Sequence, residues 1–400
     1  MRISTAQSFE NGIGNLQRAQ VELAESQQRL TSQKRVSKAS DDPAAAARAE
    51  RASAAIVRSQ TSQRAVDASR SAMTQTESAL ADAGALAQQA RELLVAAGNG
   101  AYGDAERKHL SDQIAQIRSQ LLAVTNRSDG AGSYLFAGQG AGAAPFQDAP
   151  GGVQFVGTAG AATTEASTAL PLAADGGAVF LSARTGNGVF ATQAAPGLTN
   201  SGQARIDGGS VTDPAALTGS SYALQFSVAG GSTTYAVLKD GAATAVTAAP
   251  YISGQAIRFD GMAVAVTGAP ASGDRFDIVP STPDLSIFDV LDRASAALAT
   301  TGRSHSQIAQ ANGQALRDID ASLGALQSAR GVAGQVLARI EGETSRLADL
   351  ELNGRTERSQ AEDLDLVAAV SEFQTRQTSY DAALKSYAMV QRLSLFDYLG

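Results

Sequence analysis

Cysteine is absent from the 400 residues. That excludes disulfides, thiol catalysis, zinc–thiolate sites and iron–sulfur sites together. Tryptophan is absent as well and aromatics make up only 5 %, so large cores are few and alanine carries much of the apolar count. No apolar run approaches the roughly 20 residues that span a bilayer, which argues against membrane insertion. Residues 1–15 hold no apolar stretch of the kind a Sec-type signal peptide needs, so none is expected. Positive charge is in the minority, with 32 Lys and Arg against 39 Asp and Glu and a net charge of −7. Phosphate binding needs a basic surface, so nucleic acid is not expected as a partner. Charged residues at 18 % beside 44 % hydrophobic residues still describe a chain that folds.

Proline and glycine are scarce at both ends. Nine of the ten prolines and 23 of the 39 glycines lie within 138–284, and only Pro43 falls outside that span. The same span carries −5 of the net charge. The flanks are rich in Ala, Gln, Arg, Glu and Leu, which favours helix. The middle alternates β-branched and aromatic residues with turn residues, which favours short antiparallel strands. The fold class read from this is α+β and multidomain. N- and C-terminal segments form a long α-helical coiled-coil rod, and an antiparallel β domain is inserted between them. The expected divisions are a terminal coiled-coil helix and loop at 1–42, rod halves at 43–137 and 285–355, the insert at 138–284, and a C-terminal coiled-coil helix at 356–400. Asp42 is placed to cap the second helix and Pro43 to occupy its first position. That helix is expected to run to about Ala97, and another over 304–352, with Gly331 and Gly334 as candidate bends.

Apolar residues in the flanks recur at steps of four and three. Phe9, Ile13, Leu16, Gln20, Leu23, Gln27 and Leu30 form one seam; Leu366, Val370, Phe373, Gln377, Tyr380, Leu384 and Tyr387 form another; Leu110, Ile114, Ile117 and Leu121 form a third. This is coiled-coil spacing. Glutamine weakens the terminal seams, and a lone helix of this kind is marginal in water. Two readings follow: an intramolecular bundle, or a seam completed when other copies pack alongside. The candidate interface residues are Ile13, Leu16, Leu23, Leu30, Val370, Phe373, Tyr380, Leu384, Tyr387 and, near the end, Leu393.

Catalytic patterns are missing. The two histidines, His109 and His305, read as surface residues, and no HExxH, nucleophile elbow or phosphate loop occurs. No cofactor or metal is expected. Gly138-Gln139-Gly140-Ala141-Gly142-Ala143 precedes Pro145 rather than a helix and reads as a flexible joint. Asp318-Ile319-Asp320 begins like a calcium loop, but Leu323 stands where glycine is needed, so it reads as a solvated helix face. In the insert, strands are expected over Val153 to about Phe190 and over Ser221–Val279, with a tight hairpin at Asp260-Gly261.

Arg29-Leu30-Thr31-Ser32-Gln33-Lys34-Arg35-Val36 and Ser40-Asp41-Asp42-Pro43-Ala44 resemble the N-terminal region of the bacterial flagellin superfamily. The C-terminal Tyr387-Ala388-Met389-Val390-Gln391-Arg392-Leu393-Ser394-Leu395-Phe396-Asp397-Tyr398-Leu399 is similar to that of its hook-associated, hook–filament junction branch. Met1-Arg2-Ile3-Ser4-Thr5 and the Asp-Asp-Pro sequence lean the same way. The insert resembles hook-associated β modules only through Ile257-Arg258-Phe259-Asp260-Gly261 and Gly273-Asp274-Arg275-Phe276. The resemblance implies a structural, non-enzymatic subunit, secreted through the flagellar type III apparatus. It implies a homo-oligomeric ring between hook-associated protein 1 and flagellin, and a flagellar export chaperone holding the C-terminal helix. The candidate interface residues would then face a subunit or the chaperone. Competing readings are a filament flagellin, an enzyme carried on a flagellar scaffold, and a surface adhesin acting through the β insert.

Overall fold

The computed structural model describes residues 5–164, 168–195 and 200–399, with the side chains of 5, 6, 8, 9 and 390–399 left aside. Phe9 and Leu393 therefore lie outside the described side chains. In chain order the elements are α1 (Thr5–Ser32), α2 (Pro43–Ala97), α3 (Asp104–Thr125), β1 (Phe146–Ala149), β2 (Gly152–Phe155), α4 (Gly176–Phe180), β3 (Phe190–Ala194), β4 (Arg205–Ile206), β5 (Ser210–Val211), β6 (Tyr222–Ala229), β7 (Ser232–Lys239), β8 (Ala242–Ala243), β9 (Ala249–Pro250), β10 (Ala256–Phe259), β11 (Met262–Thr267), β12 (Arg275–Pro280), α5 (Ile287–Ala299), α6 (His305–Glu362) and α7 (Leu366–Leu399). Two compact units result, residues 1–64 with 342–400, and residues 65–341.

In the larger unit α2 turns a row of small residues inward. Ala79, Ala83, Ala87, Ala90 and Ala97 are fully buried beside Leu80 and Leu94. Side chains this short let neighbouring helices approach closely. The seam expected on α3 is present, with Ile114, Ile117 and Leu121 buried and Leu110 partly so. Phe288 and Leu291 of α5 and Ile319 and Leu326 of α6 fill the same core. Arg118 ties three elements together, pairing at 2.7 Å with Asp148 of β1 and at 2.7 Å with Asp292 of α5.

The span 138–284 does not form one insert. Phe146, Phe155 and Phe180 join the helical core, where the Phe136 and Phe180 rings meet edge-on at 5.0 Å and Phe146 lies 6.1 Å from Phe288. The run from Val153 to Phe190 is accordingly mostly loop, with the end of one short hairpin and the single turn of α4. Nor is the glycine run at 138 a loose joint. Gly138 has φ 69°, donates to Ala174 O at 3.0 Å, and leaves no room for a Cβ, which would stand 1.9 Å from Thr158 O.

A separate β core begins at Phe190. One antiparallel sheet runs in the order β3-β12-β6-β7-β8, with β9 also on β7, and a smaller one joins β10, β11, β4 and β5. Phe190, Tyr222, Leu224, Phe226 and Phe276 of the first meet Ile257, Val264 and Val266 of the second. The hairpin at Asp260-Gly261 is present, with φ 41° and 76°. Gly230-Gly231 and Asp240-Gly241 make the same kind of turn. Positive φ at both residues matches the twist of the flanking strands.

Asp318 departs from its expected solvated place. It is only 8 % exposed, packed where Arg293 reaches it at 3.5 Å. Burial pushes its carboxyl up, against the pull of Arg293 and Arg317. Gly331 and Gly334 do not interrupt α6, which continues to Glu362, ten residues beyond the expected end at 352.

Two outcomes follow. Phe226→Ala should cost about 3–5 kcal/mol in chemical unfolding and lower hydrogen-exchange protection in β6, β7 and β12 while that of α3 holds. For Asp318, a folded pKa above the unfolded one means that the native state keeps its proton to higher pH. Stability then rises as pH falls from neutrality through the raised value and levels off below the ordinary Asp range. Asp318→Asn should raise Tm at neutral pH, with the difference from wild type closing on acidification.

Candidate assembly surface

The chain ends meet in the smaller unit. α1 and α7 run antiparallel: Gly12 faces the Tyr387 ring, where an added Cβ would lie 3.7 Å away, and Arg376 Nη1 donates to Glu22 O at 3.1 Å. Where α2 meets α6, Ser59 donates to Leu347 O at 2.8 Å, and Gly354 admits Ile56, whose Cγ1 would stand 2.9 Å from an added Cβ.

The inward row of α1 is Gly12, Leu16, Ala19, Leu23, Ser26 and Leu30, with Ile13 partly covered. On α7 it is Ala369, Phe373, Arg376, Tyr380, Ala383 and Tyr387. Of the expected residues, Leu16, Leu23, Leu30, Phe373, Tyr380 and Tyr387 thus sit at the pair. Val370 and Leu384 do not, being 44 % and 39 % exposed. Gln20, Gln27 and Gln377 also face outward. The seam on α7 keeps the expected Phe373, Tyr380 and Tyr387 and replaces Val370, Gln377 and Leu384 by the residue before each, while Leu366 is exposed. Outside that row Leu366, Val367 (84 % exposed), Val370, Leu384 and Met389 remain exposed.

Both linkers break at one level. Leu364 N donates to Gln33 O at 3.0 Å and Arg35 N to Glu362 O at 2.7 Å, so that Lys34 and Asp363 pair as in a two-residue ladder. Arg35 donates to Ala361 O at 2.8 Å, at the carbonyl end of α6, and Lys34 pairs with Glu362 at 3.0 Å. The break therefore lies at 363–365 rather than at the expected 355/356. Asp42 caps α2 through Ala44 N and Ala45 N at 3.1 and 3.0 Å, with Pro43 in the first helical position. The Ala45 N–H holds the Asp42 carboxyl below its ordinary value, with Arg35 assisting. Asp41 is lowered in the same way by the Ser37 and Lys38 N–H groups. Asp365 caps α7, accepting from Val367 N and Ala368 N at 3.0 and 3.1 Å. Sequence reasoning passed over this cap, although an Asp directly before Leu366-Val367 is a readable start signal.

His109 and His305 are exposed, and no group of acids or histidines among the described residues is placed to hold a metal ion. What the site offers is a partly covered helix pair, an uncovered apolar row and a double-linker joint.

Sequence models of two regions match the ends: the bacterial flagellin N-terminal helical region over residues 3–141 and the bacterial flagellin C-terminal helical region over 316–399. The two helical ends are those of the bacterial flagellin family. A third model, the D2-like domain of flagellar hook-associated protein 1, matches residues 197–280, within the β core. The chain is 38 % identical over 156 residues to flagellar hook-associated protein 3 of Salmonella typhimurium, covering 38 % of this chain and 48 % of that protein. It thus spans about half the length of that relative. Among solved structures, flagellar hook-associated protein 3 of Legionella pneumophila is similar at TM-score 0.72 and 27 % identity, covering 78 % of this chain and 98 % of that one. The structure described as the flagellar junction protein of the same organism gives TM-score 0.65 and 28 % identity, covering 71 % and 95 %.

The joint yields one test. Gln33 holds φ 56° without being glycine, a conformation that costs a side-chain-bearing residue roughly 1 kcal/mol. Gln33→Gly should raise the thermal stability of the smaller unit slightly, followed by hydrogen exchange at the α1–α2 linker. A fall would show that the Gln33 side chain contributes more than its backbone strain costs.

Proposed function

We propose that the chain is a structural subunit of the bacterial flagellum at the junction of hook and filament. Flagellin-type helices at both ends, together with a hook-associated D2-like region between them, carry this reading. Filament flagellin is the competing assignment. The similarity to hook-associated protein 3 favours the junction.

In this role copies of the chain form a ring, with hook-associated protein 1 on one side and flagellin on the other. The inner row of α7 pairs with α1, and the outer row, with Val370 and Leu384, takes up a neighbouring subunit. Before assembly the same row is the natural contact for an export chaperone. Export proceeds through the flagellar type III apparatus, and the mature protein resides outside the cell. The function is mechanical rather than enzymatic: α1 and α7 gain a full apolar surround only in the assembly, so assembly and ordering of the ends are coupled.

Electron microscopy of a strain lacking the chain decides between the two assignments. Loss of a junction subunit leaves hooks that shed unpolymerised flagellin into the medium. Loss of a filament subunit leaves capped hooks and no flagellin in the medium. Within the protein, Leu384→Asp should abolish motility while thermal unfolding of the β core is unchanged, since distant sites act independently. Normal filaments with this variant would remove the outer row from the assembly surface.

A further inference from the structure

The larger unit contains a small, partly open and mostly apolar cavity with two polar groups in its wall, where the end of α2, the end of α5 and the start of α6 meet. Its volume is about 10 Å³, and its walls include Leu94, Ala294, Leu298, Arg303, Ile308 and Asn312. Asn312 is 8 % exposed. Its amide nitrogen donates to Leu94 O at 2.9 Å, in the last turn of α2. That contact fixes which way the amide points and leaves Oδ1 on the other side, where no hydrogen-bond donor among the described residues reaches it. A buried acceptor without a donor loses its hydrogen bonds to water and gets nothing in return.

The other polar wall is Arg303. Its guanidinium donates to Ala297 O at 3.2 Å and to Gln307 O at 3.1 Å, closing the loop between α5 and α6. Both acceptors are neutral carbonyls. Burial lowers the Arg303 pKa. The cavity thus has an acceptor in need of a donor and a cation with five N–H groups, of which the carbonyls take two.

We infer that this cavity binds a single structural water, which donates to Asn312 Oδ1 and accepts from the Arg303 guanidinium. A space of this size admits one water centre. Chloride is excluded on two grounds: it is larger, and it would face the Oδ1 lone pairs. Methyl-sized apolar occupants leave both polar groups unanswered. Through the water, the α5–α6 loop is linked to the α2 terminus that Asn312 already holds, so three helix ends share one hydrogen-bond network.

The test uses the full chain. A high-resolution crystal structure should show one ordered peak at about 2.6–3.2 Å from Asn312 Oδ1, with the guanidinium on its far side. An unfilled cavity, or an Arg303 nitrogen bonded directly to Oδ1, overturns the inference. Thermal unfolding of Arg303→Met, Asn312→Leu and the double variant supplies a second measurement. A shared water makes the combined Tm loss smaller than the sum of the two single losses by about 1–3 °C. Additive losses overturn it as well.

Discussion

The buried row of small residues along α2 is the constraint on which the larger unit rests. That row is alanine at five positions, buried together with Ile114, Leu121, Ile319 and Phe288 in one interior. Bulk then comes from elsewhere. The four rings Phe136, Phe146, Phe155 and Phe180 arrive on the segment after α3 and join the same core, where Phe146 lies beside Phe288 of α5. In a chain without tryptophan and with few aromatics, such concentrated use of phenylalanine gives the core volume its helices lack. Arg118 then fixes the hairpin and α5 against α3 with three charged contacts around one guanidinium.

The same use of alanine has the opposite effect at the chain ends. Ala369 and Ala383 turn inward on α7, and leucine and valine remain outside. A pair built this way buries little by itself. The larger apolar side chains stay exposed, as the proposed assembly role requires. The joint below it complements the pair. Two chain crossings at one level, bonded to each other through Gln33, Arg35, Glu362 and Leu364, keep α1 and α7 in register although one lies near each end of the sequence.

Features decided by neighbouring residues were legible from the sequence. The Asp42-Pro43 helix start, the α3 seam and the Asp260-Gly261 turn depend on a handful of adjacent positions, and all lie where their spacing placed them. Features decided at a distance were not. The stretch holding Phe146 and Phe180 has the glycine and proline content of the β region, and only its packing partners on α3 and α5 assign it to the helices. Asp318 looked solvated because its partner Arg293 sits on another helix. On α7 two rows flank the shared positions Phe373, Tyr380 and Tyr387. Counting apolar residues selects the row with Val370 and Leu384, whereas the fold turns Ala369 and Ala383 inward. Hydrophobicity ranks side chains by their aversion to water, and helix approach ranks them by size.

The antiparallel pairing of the ends has a temporal consequence. Glu22 and Arg376 are 354 residues apart in the chain, whereas the β6–β7 hairpin closes through the Gly230-Gly231 turn alone. Contacts between remote residues form after local ones, because closing a long loop costs entropy before any contact offsets it. The pair is therefore the last part of the molecule to take shape, and it requires the final residues to be present.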